Sequence, residues 1–284
     1  MNKRIKSLFC AGILIFVFTI SPTVYAGTVG NPGDVKALHG KGVFSLKETR
    51  NIPIEASFDA DVVLNRDLAA GDTTKTAIRT SQWYLLKIGY KMFDRIEPYV
   101  RLGGAHLKAR WTDTETGTQV AMDTSSGFAW GLGIKALIYE FKAPNIKLIC
   151  DGSYRATNLD PYKGYLDGNR AAISKTNSRF AIREWQAAFL AATEIGLPHI
   201  FDYSEDLKGY RLSPYAGIKY SDISGRLRMV TANGAVYHPD NIKSDKNIGI
   251  VVGCDLVGDD YISLNLEGRF IDETAISTGL AVLF

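Results

Sequence analysis

The chain is short of the residues that most enzymes and most membrane helices are built from. Histidine occurs four times and cysteine three times in 284 residues. That leaves little material for a metal cluster, a thiol centre or a disulfide scaffold. Proline is scarce, nine against 27 glycines, and 46% of residues are hydrophobic, which excludes collagen and disordered chains. Long apolar runs are lacking except at the N-terminus, so a bundle of membrane helices is excluded. Helical periodicity is nearly absent beyond residue 52.

What is present begins with an N-terminal address. Lys3, Arg4 and Lys6 precede an apolar run from Leu8 to Ile20, then Ser21-Pro22, then Val24-Tyr25-Ala26 before Gly27. A basic start, a short apolar run and a small-residue cleavage site describe a secretory signal peptide spanning 1–26. An uncleaved anchor is the alternative. Cys10 lies before most of the apolar run, where no lipoprotein signal would place it. Cleavage after Ala26 leaves 30 basic and 30 acidic residues, because the signal holds three basic residues and no acidic one. The mature chain has no basic surplus to mark a nucleic-acid partner.

The body alternates with period two. Ile54, Ala56, Phe58, Ala60, Val62 and Leu64 alternate with Glu55, Ser57, Asp59 and Asp61. Nine further runs do the same, near 84–92, 96–111, 128–138, 146–155, 184–195, 212–220, 248–256, 262–270 and 276–284. Within 96–111 the apolar parity flips after Gly103-Gly104, which reads as a β-bulge. Many runs hold for roughly 10 residues, near the length of a tilted membrane strand rather than a soluble one. Tight connections at Phe93–Arg95, Lys142–Pro144 and Gly258-Asp259 alternate with long polar ones at 66–81, 112–125, 157–180 and 223–246. Two connections depart from this rule: 196–210 is long on the short-turn side, and Asp272-Glu273 is tight on the long-loop side.

With its signal peptide, its alternating runs, the Glu97–Ala105 strand start and the Leu280-Ala281-Val282-Leu283-Phe284 ending, the chain resembles the small outer-membrane β-barrel proteins of Gram-negative bacteria. The resemblance covers most of the mature chain and rests on the sum of these features. It implies an all-β fold: a closed antiparallel transmembrane barrel over 53–284, preceded by a periplasmic lead at 27–52. It implies both termini in the periplasm and residence in the outer membrane. Leu280, Val282 and Phe284 would then form the C-terminal signal read by the barrel-assembly machinery. Outer-membrane lipid is the other implied partner. Ten strands satisfy the even parity of such barrels, with eight and twelve as alternatives.

In this arrangement the polar parity lines the lumen. The lining is Glu55, Asp59, Asp61, Lys87, Lys91, Arg101, Lys108, Arg110, Lys135, Asp151, Arg155, Glu184, Lys219, Glu267 and Arg269. Mixed charges at that density predict mutual pairing and a salt-bridged plug rather than an open channel. Cys150 and Cys254 fall on the lipid face three strands apart, too far for a disulfide, and are expected as free thiols. Trp83, Trp111, Trp130 and Trp185 are expected as an aromatic girdle.

No catalytic signature emerges. His39 lies in the lead and His199 in the long turn; His106 is expected in the lumen and His238 in an outer loop, where His238-Pro239-Asp240 reads first as a turn. Asp113, Glu115 and Asp123 are too loosely spaced to define a cation site. No metal or other cofactor is predicted. The leading expectation is a non-enzymatic barrel whose outer loops serve recognition, through 157–180 and 223–246 with Tyr162, Tyr165, Arg226, Arg228, Tyr237 and His238. A small solute pore is the alternative. A barrel enzyme using His106 or His238 and a soluble secreted β protein are weaker ones.

Overall fold

A computed structural model describes residues 54–71, 76–92, 95–141, 145–197, 210–239, 241–258 and 262–283. The predicted signal peptide and lead, His39, His199 and Phe284 lie outside the described residues.

In chain order the strands are β1 (Ile54–Ala69), β2 (Thr76–Tyr90), β3 (Ile96–Thr112), β4 (Gln119–Thr124), β5 (Gly127–Phe141), β6 (Ile146–Leu159), β7 (Pro161–Leu166) and β8 (Asn169–Ala171). They continue as β9 (Arg179–Thr193), β10 (Ile195–Gly196), β11 (Arg211–Val230), β12 (Val236–Tyr237), β13 (Ile242–Ser244), β14 (Ile248–Gly258), β15 (Ile262–Phe270) and β16 (Thr274–Leu283). Ten of them are staves. Each of β1, β2, β3, β5, β6, β9, β11, β14, β15 and β16 pairs antiparallel with the next. The last returns to the first, from Glu55↔Leu283 to Asn65↔Thr274. The fold is therefore a closed ten-stranded antiparallel barrel, and every expected strand is a stave. Closure leaves the circle of ten staves without an edge, the condition for placing backbone in lipid.

The exterior of the lower barrel, the end holding both ends of the described chain, is apolar. Phe128, Trp130, Leu132, Ile134 and Ile138 on β5, Phe189 on β9, Ile218 on β11 and Ile248, Ile250 and Val252 on β14 are all exposed outward. On β14 the belt runs from Ile248 to Leu256, about 27 Å along the strand and about 20 Å upright at a tilt near 40°. That matches the lipid-facing band of a membrane barrel. Cys150 and Cys254 are free and half-exposed on this face, on strands three apart.

Above the belt the pattern inverts. On β3 the odd positions point inward throughout: Glu97, Tyr99 and Arg101 below, then Ala105, Leu107, Ala109 and Trp111 above. The expected bulge at Gly103-Gly104 is absent. The pairings Leu85↔Gly103, Tyr84↔Gly104, Gly103↔Ala129 and Gly104↔Phe128 run on without a shift. The backbone stays in register and the surroundings change instead. Below Gly103 the outside is lipid and the inside polar; above it the outside is water and the inside an apolar core. Gly103 is there for a separate reason: a Cβ at this position would fall 1.9 Å from the Tyr84 carbonyl oxygen. True register shifts occur at Val63/Asn65, Ile78/Thr80, Asp123/Thr124 and Leu137/Tyr139.

β9 and β11 switch at the same level. On β9, Glu184 and Gln186 point inward below Phe180 and Ile182; on β11, Lys219 and Ser221 point inward below Ile223, Leu227 and Met229. The upper core joins these residues to Leu68, Ile78, Trp83, Leu107, Trp111, Val120, Met122 and Ile242. Two girdle expectations fail here. Trp83 and Trp111 are each 1% exposed, inside this core. Trp130 and Trp185 do face outward, bridged by Tyr154 with ring centroids 5.4 and 4.7 Å away.

The long polar connections are likewise largely strand. β1, β2, β3 and β11 rise beyond the belt, and β4, β7, β8, β12 and β13 build onto them. β14, β15 and β16 stop at the belt. β13 spans the gap they leave, pairing with β1 through Leu68↔Ser244 and with β11 through Gly225↔Ile242. The barrel thus narrows into a β-sheet dome with the core of a soluble protein.

Candidate functional site

The lumen side chains divide into three groups. Near the lower mouth, the Lys87 ammonium lies 2.8 Å from both Glu55 and Glu97. Lys91 reaches Glu55 at 2.9 Å, and Lys135 reaches Glu97 at 3.5 Å. Arg101 lies 3.3 Å from Asp59 and stacks over the Tyr99 ring at 4.7 Å. The Tyr99 hydroxyl donates to Asp151 at 2.8 Å.

Across the lumen a second tyrosine does the same work. The Tyr215 hydroxyl donates to Glu267 at 2.9 Å and accepts from the Asn265 amide, which also bonds Asp255. Each ring lies against a glycine of the neighbouring stave. A Cβ at Gly133 would sit 2.3 Å from the Tyr99 ring, and one at Gly253 would sit 2.3 Å from the Tyr215 ring. The missing side chains are the slots that let two large rings lie flat against the wall.

The third group closes the middle of the barrel. Asp61 pairs with Arg155, Arg155 with Glu184, and Glu184 with Arg66. Arg66 lies 3.2 Å from Glu273, Glu273 lies 2.7 Å from Arg269, and Arg269 returns to Asp61. This is a closed ring of three carboxylates and three guanidiniums in strict alternation. Lys219 joins it through Glu273 and lies 2.8 Å from Asp272. Ser221 and Ser244 accept from Arg66 and Ser277 from Arg269, while the Arg66 Nε is buried without a hydrogen-bond partner. Charges this deeply buried persist only when paired and hydrogen-bonded, which the ring provides.

The turn between β15 and β16 completes the ring. Ile271 has φ of 85°, a left-handed conformation unusual for a β-branched residue. It faces out while Asp272 and Glu273 fold inward and are buried. Directly above, the Arg155 guanidinium lies 4.5 Å over the Trp83 ring, where the charged layer meets the apolar core. A cavity of about 10 Å³ between Arg66, Trp83, Leu107, Ile182 and Glu184 has room for about one water.

Of the sequence-predicted lining, Glu55, Asp59, Asp61, Lys87, Arg101, Lys135, Asp151, Arg155, Glu184, Lys219, Glu267 and Arg269 are buried in the lumen, with Lys91 at its mouth. Lys108 and Arg110 are not there. They lie above the inversion, on the water-facing side of the dome. His106 is outside as well, its Nε2 2.8 Å from Asp123, which also lies 3.3 Å from Lys108. Asp113 is spent on a turn, accepting from the Thr116 N–H at 3.0 Å. Asp113, Glu115 and Asp123 form no cation site, and no metal-binding cluster occurs among the described residues. His238 lines a surface hollow of the dome.

Several lumen residues escaped the sequence reading. Glu97, Lys147 and Asp255 share the polar parity, which was the signal available for them. Arg66 falls in the polar connection 66–81 of the sequence, whereas β1 runs on to Ala69 and the shift at Val63/Asn65 turns Arg66 inward. Asp272 and Glu273 carried no periodic signal, since they reach the lumen from a turn.

No family model matches the chain, and no curated protein does. Solved structures that align with it include the outer membrane protease OmpT from Escherichia coli, at 9% identity over 84% of this chain and 99% of that one, TM-score 0.42. The translocator domain of the autotransporter NalP from Neisseria meningitidis aligns at 11% identity over 84% and 90%, TM-score 0.38. The COG4313 outer membrane channel from Pseudomonas putida F1 aligns at 8% identity over 86% and 100%, TM-score 0.38. Likeness at this level carries no activity across. The closed circle of ten staves, the apolar belt outside and the ion-paired lumen inside make the chain a β-barrel of the outer-membrane type.

Proposed function

We propose that the protein is a sealed, non-enzymatic outer-membrane barrel that anchors an extracellular β-sheet dome, and that the dome surface serves recognition. The ring Asp61–Arg155–Glu184–Arg66–Glu273–Arg269, roofed by the apolar core around Trp83 and Phe180, carries this reading. An ion crossing that layer would have to break buried pairs and then traverse packed hydrocarbon, which is costly for any charge. The dome presents Tyr162 and Val236 exposed, with Tyr165 half-buried on the same strand as Tyr162, while Tyr237 packs against the core. Aromatic side chains on a rigid sheet suit partner binding.

The test is planar-bilayer conductance of the refolded protein. Flat traces are expected across the accessible voltage range. Steady unitary steps would replace this reading with the solute pore.

A further inference from the structure

We propose that the outward faces of β9 and β11, immediately above the apolar belt, bind the phosphate groups of a lipid headgroup in the leaflet beneath the dome. The inference rests on the membrane placement of the belt and adds a ligand to it. Arg179 and Arg228 are directly opposed across the two strands. Arg183 opposes Ser224 and Arg226 opposes Ala181, so Arg226 is the diagonal neighbour of both Arg179 and Arg183. All four arginines are exposed. None has an ion pair or hydrogen-bond partner among the described residues. The one carboxylate on the same face is Asp222, opposite Trp185, leaving three positive charges in excess.

Like charges opposed across a sheet destabilise it, so this arrangement calls for an anion. Guanidinium forks match phosphate oxygens two at a time. Arg226 and Arg228 also form one wall of a hollow of about 420 Å³ that includes His238 and Asn241.

Position identifies the source of the phosphate. On β9 the next outward residue below Arg183 is Trp185, 60% exposed, followed by Phe189; on β11, Tyr220 and Ile218 lie below Asp222. One such step is about 6.6 Å along a strand. A molecule with acyl chains against Trp185, Phe189 and Ile218 would hold its headgroup phosphates at the arginines. A free anion would gain nothing from that apolar floor.

The experiment is native mass spectrometry of the refolded protein in neutral detergent, titrated with diphosphorylated lipid A, with uncharged diacylglycerol and with inorganic phosphate. Lipid A should be retained. It should be held at least about 10-fold more weakly after Arg179, Arg183, Arg226 and Arg228 are all changed to Gln, since each charge-assisted contact contributes. The variant's heat-dependent gel shift should match wild type, showing an intact barrel. Lys108→Gln with Arg110→Gln, on another face of the dome, should leave retention unchanged. Equal retention by the four-fold variant, or equal retention of diacylglycerol, would overturn the proposal. Displacement of lipid A by an equal concentration of inorganic phosphate would assign the arginines to a free anion and overturn the lipid site.

Discussion

Ile182 and Glu184 lie two residues apart on β9 and both point into the barrel, yet Ile182 belongs to an apolar core and Glu184 to a ring of buried ion pairs. One inward step separates two opposite interiors. The boundary coincides with the outward change from Trp185 to Arg183 on the same strand. What is inside is set by what is outside: a lipid-facing wall spends its apolar side chains on lipid, and a water-facing wall spends them on the core.

That boundary predicts an asymmetric response to charge. Ile182→Glu places an unpaired carboxylate in the apolar dome and should destabilise the protein by at least about 3 kcal/mol, the scale for an uncompensated buried charge. Arg183→Glu, one residue away and facing water, should stay within about 0.5 kcal/mol. Urea unfolding midpoints of the two refolded variants would check this. Similar losses for both would mean that the interior above Glu184 is wet.

The charge ring predicts strong coupling. Glu184→Gln leaves Arg66 and Arg155 each short of a carboxylate and should cost about 3–5 kcal/mol. Replacing Arg66 and Glu184 together by Met and Leu should cost clearly less than the two single changes summed, because no lone charge remains between those two positions. A double-mutant cycle on the thermal gel-shift midpoint measures the difference. Strict additivity would show that the two groups do not sense one another.

The tyrosine slots predict a size limit at two glycines. Gly133→Val should displace the Tyr99 ring and cost about 1–3 kcal/mol, the range for overpacking. Gly253→Val should do the same at Tyr215. By contrast Gly152→Ala, whose added methyl meets nothing within 4 Å, should be close to neutral. Shortening Tyr99 to Ala in the Gly133→Val protein should relieve the clash while losing the bond to Asp151.

The lipid-facing thiols predict redox indifference. Cys150 and Cys254 should both react with a maleimide after denaturation, with or without prior reductant. The folded protein's gel mobility should not change on reduction. A reductant-dependent mobility would contradict their separation by three strands.

The ten staves, the belt and most of the lumen charges were legible from alternation alone. A side chain on a strand has only two directions, and in a membrane wall one of them is always apolar. Alternation could not say which direction was inside. Lys108 and Arg110 alternate with apolar neighbours as Lys87 and Arg101 do, but β3 keeps one parity inward along its whole length and so points them outward, where their height above the lipid lets charge face water. Trp83 and Trp111 went inside for the same reason. Arg66, Asp272 and Glu273 reach the central ring through a register shift and a left-handed turn, and these break the period on which sequence reading depends. The sequence by itself determined ten alternating strands of membrane length, because parity and strand length are local properties of the chain; their closure into a circle, and with it the separation of the two thiols, belongs to the tertiary structure. Only the tertiary structure decided where lipid ends and water begins, because that boundary is a height shared by strands far apart in sequence. The same closure decided which opposite charges from β1, β6, β9 and β15 meet across the lumen.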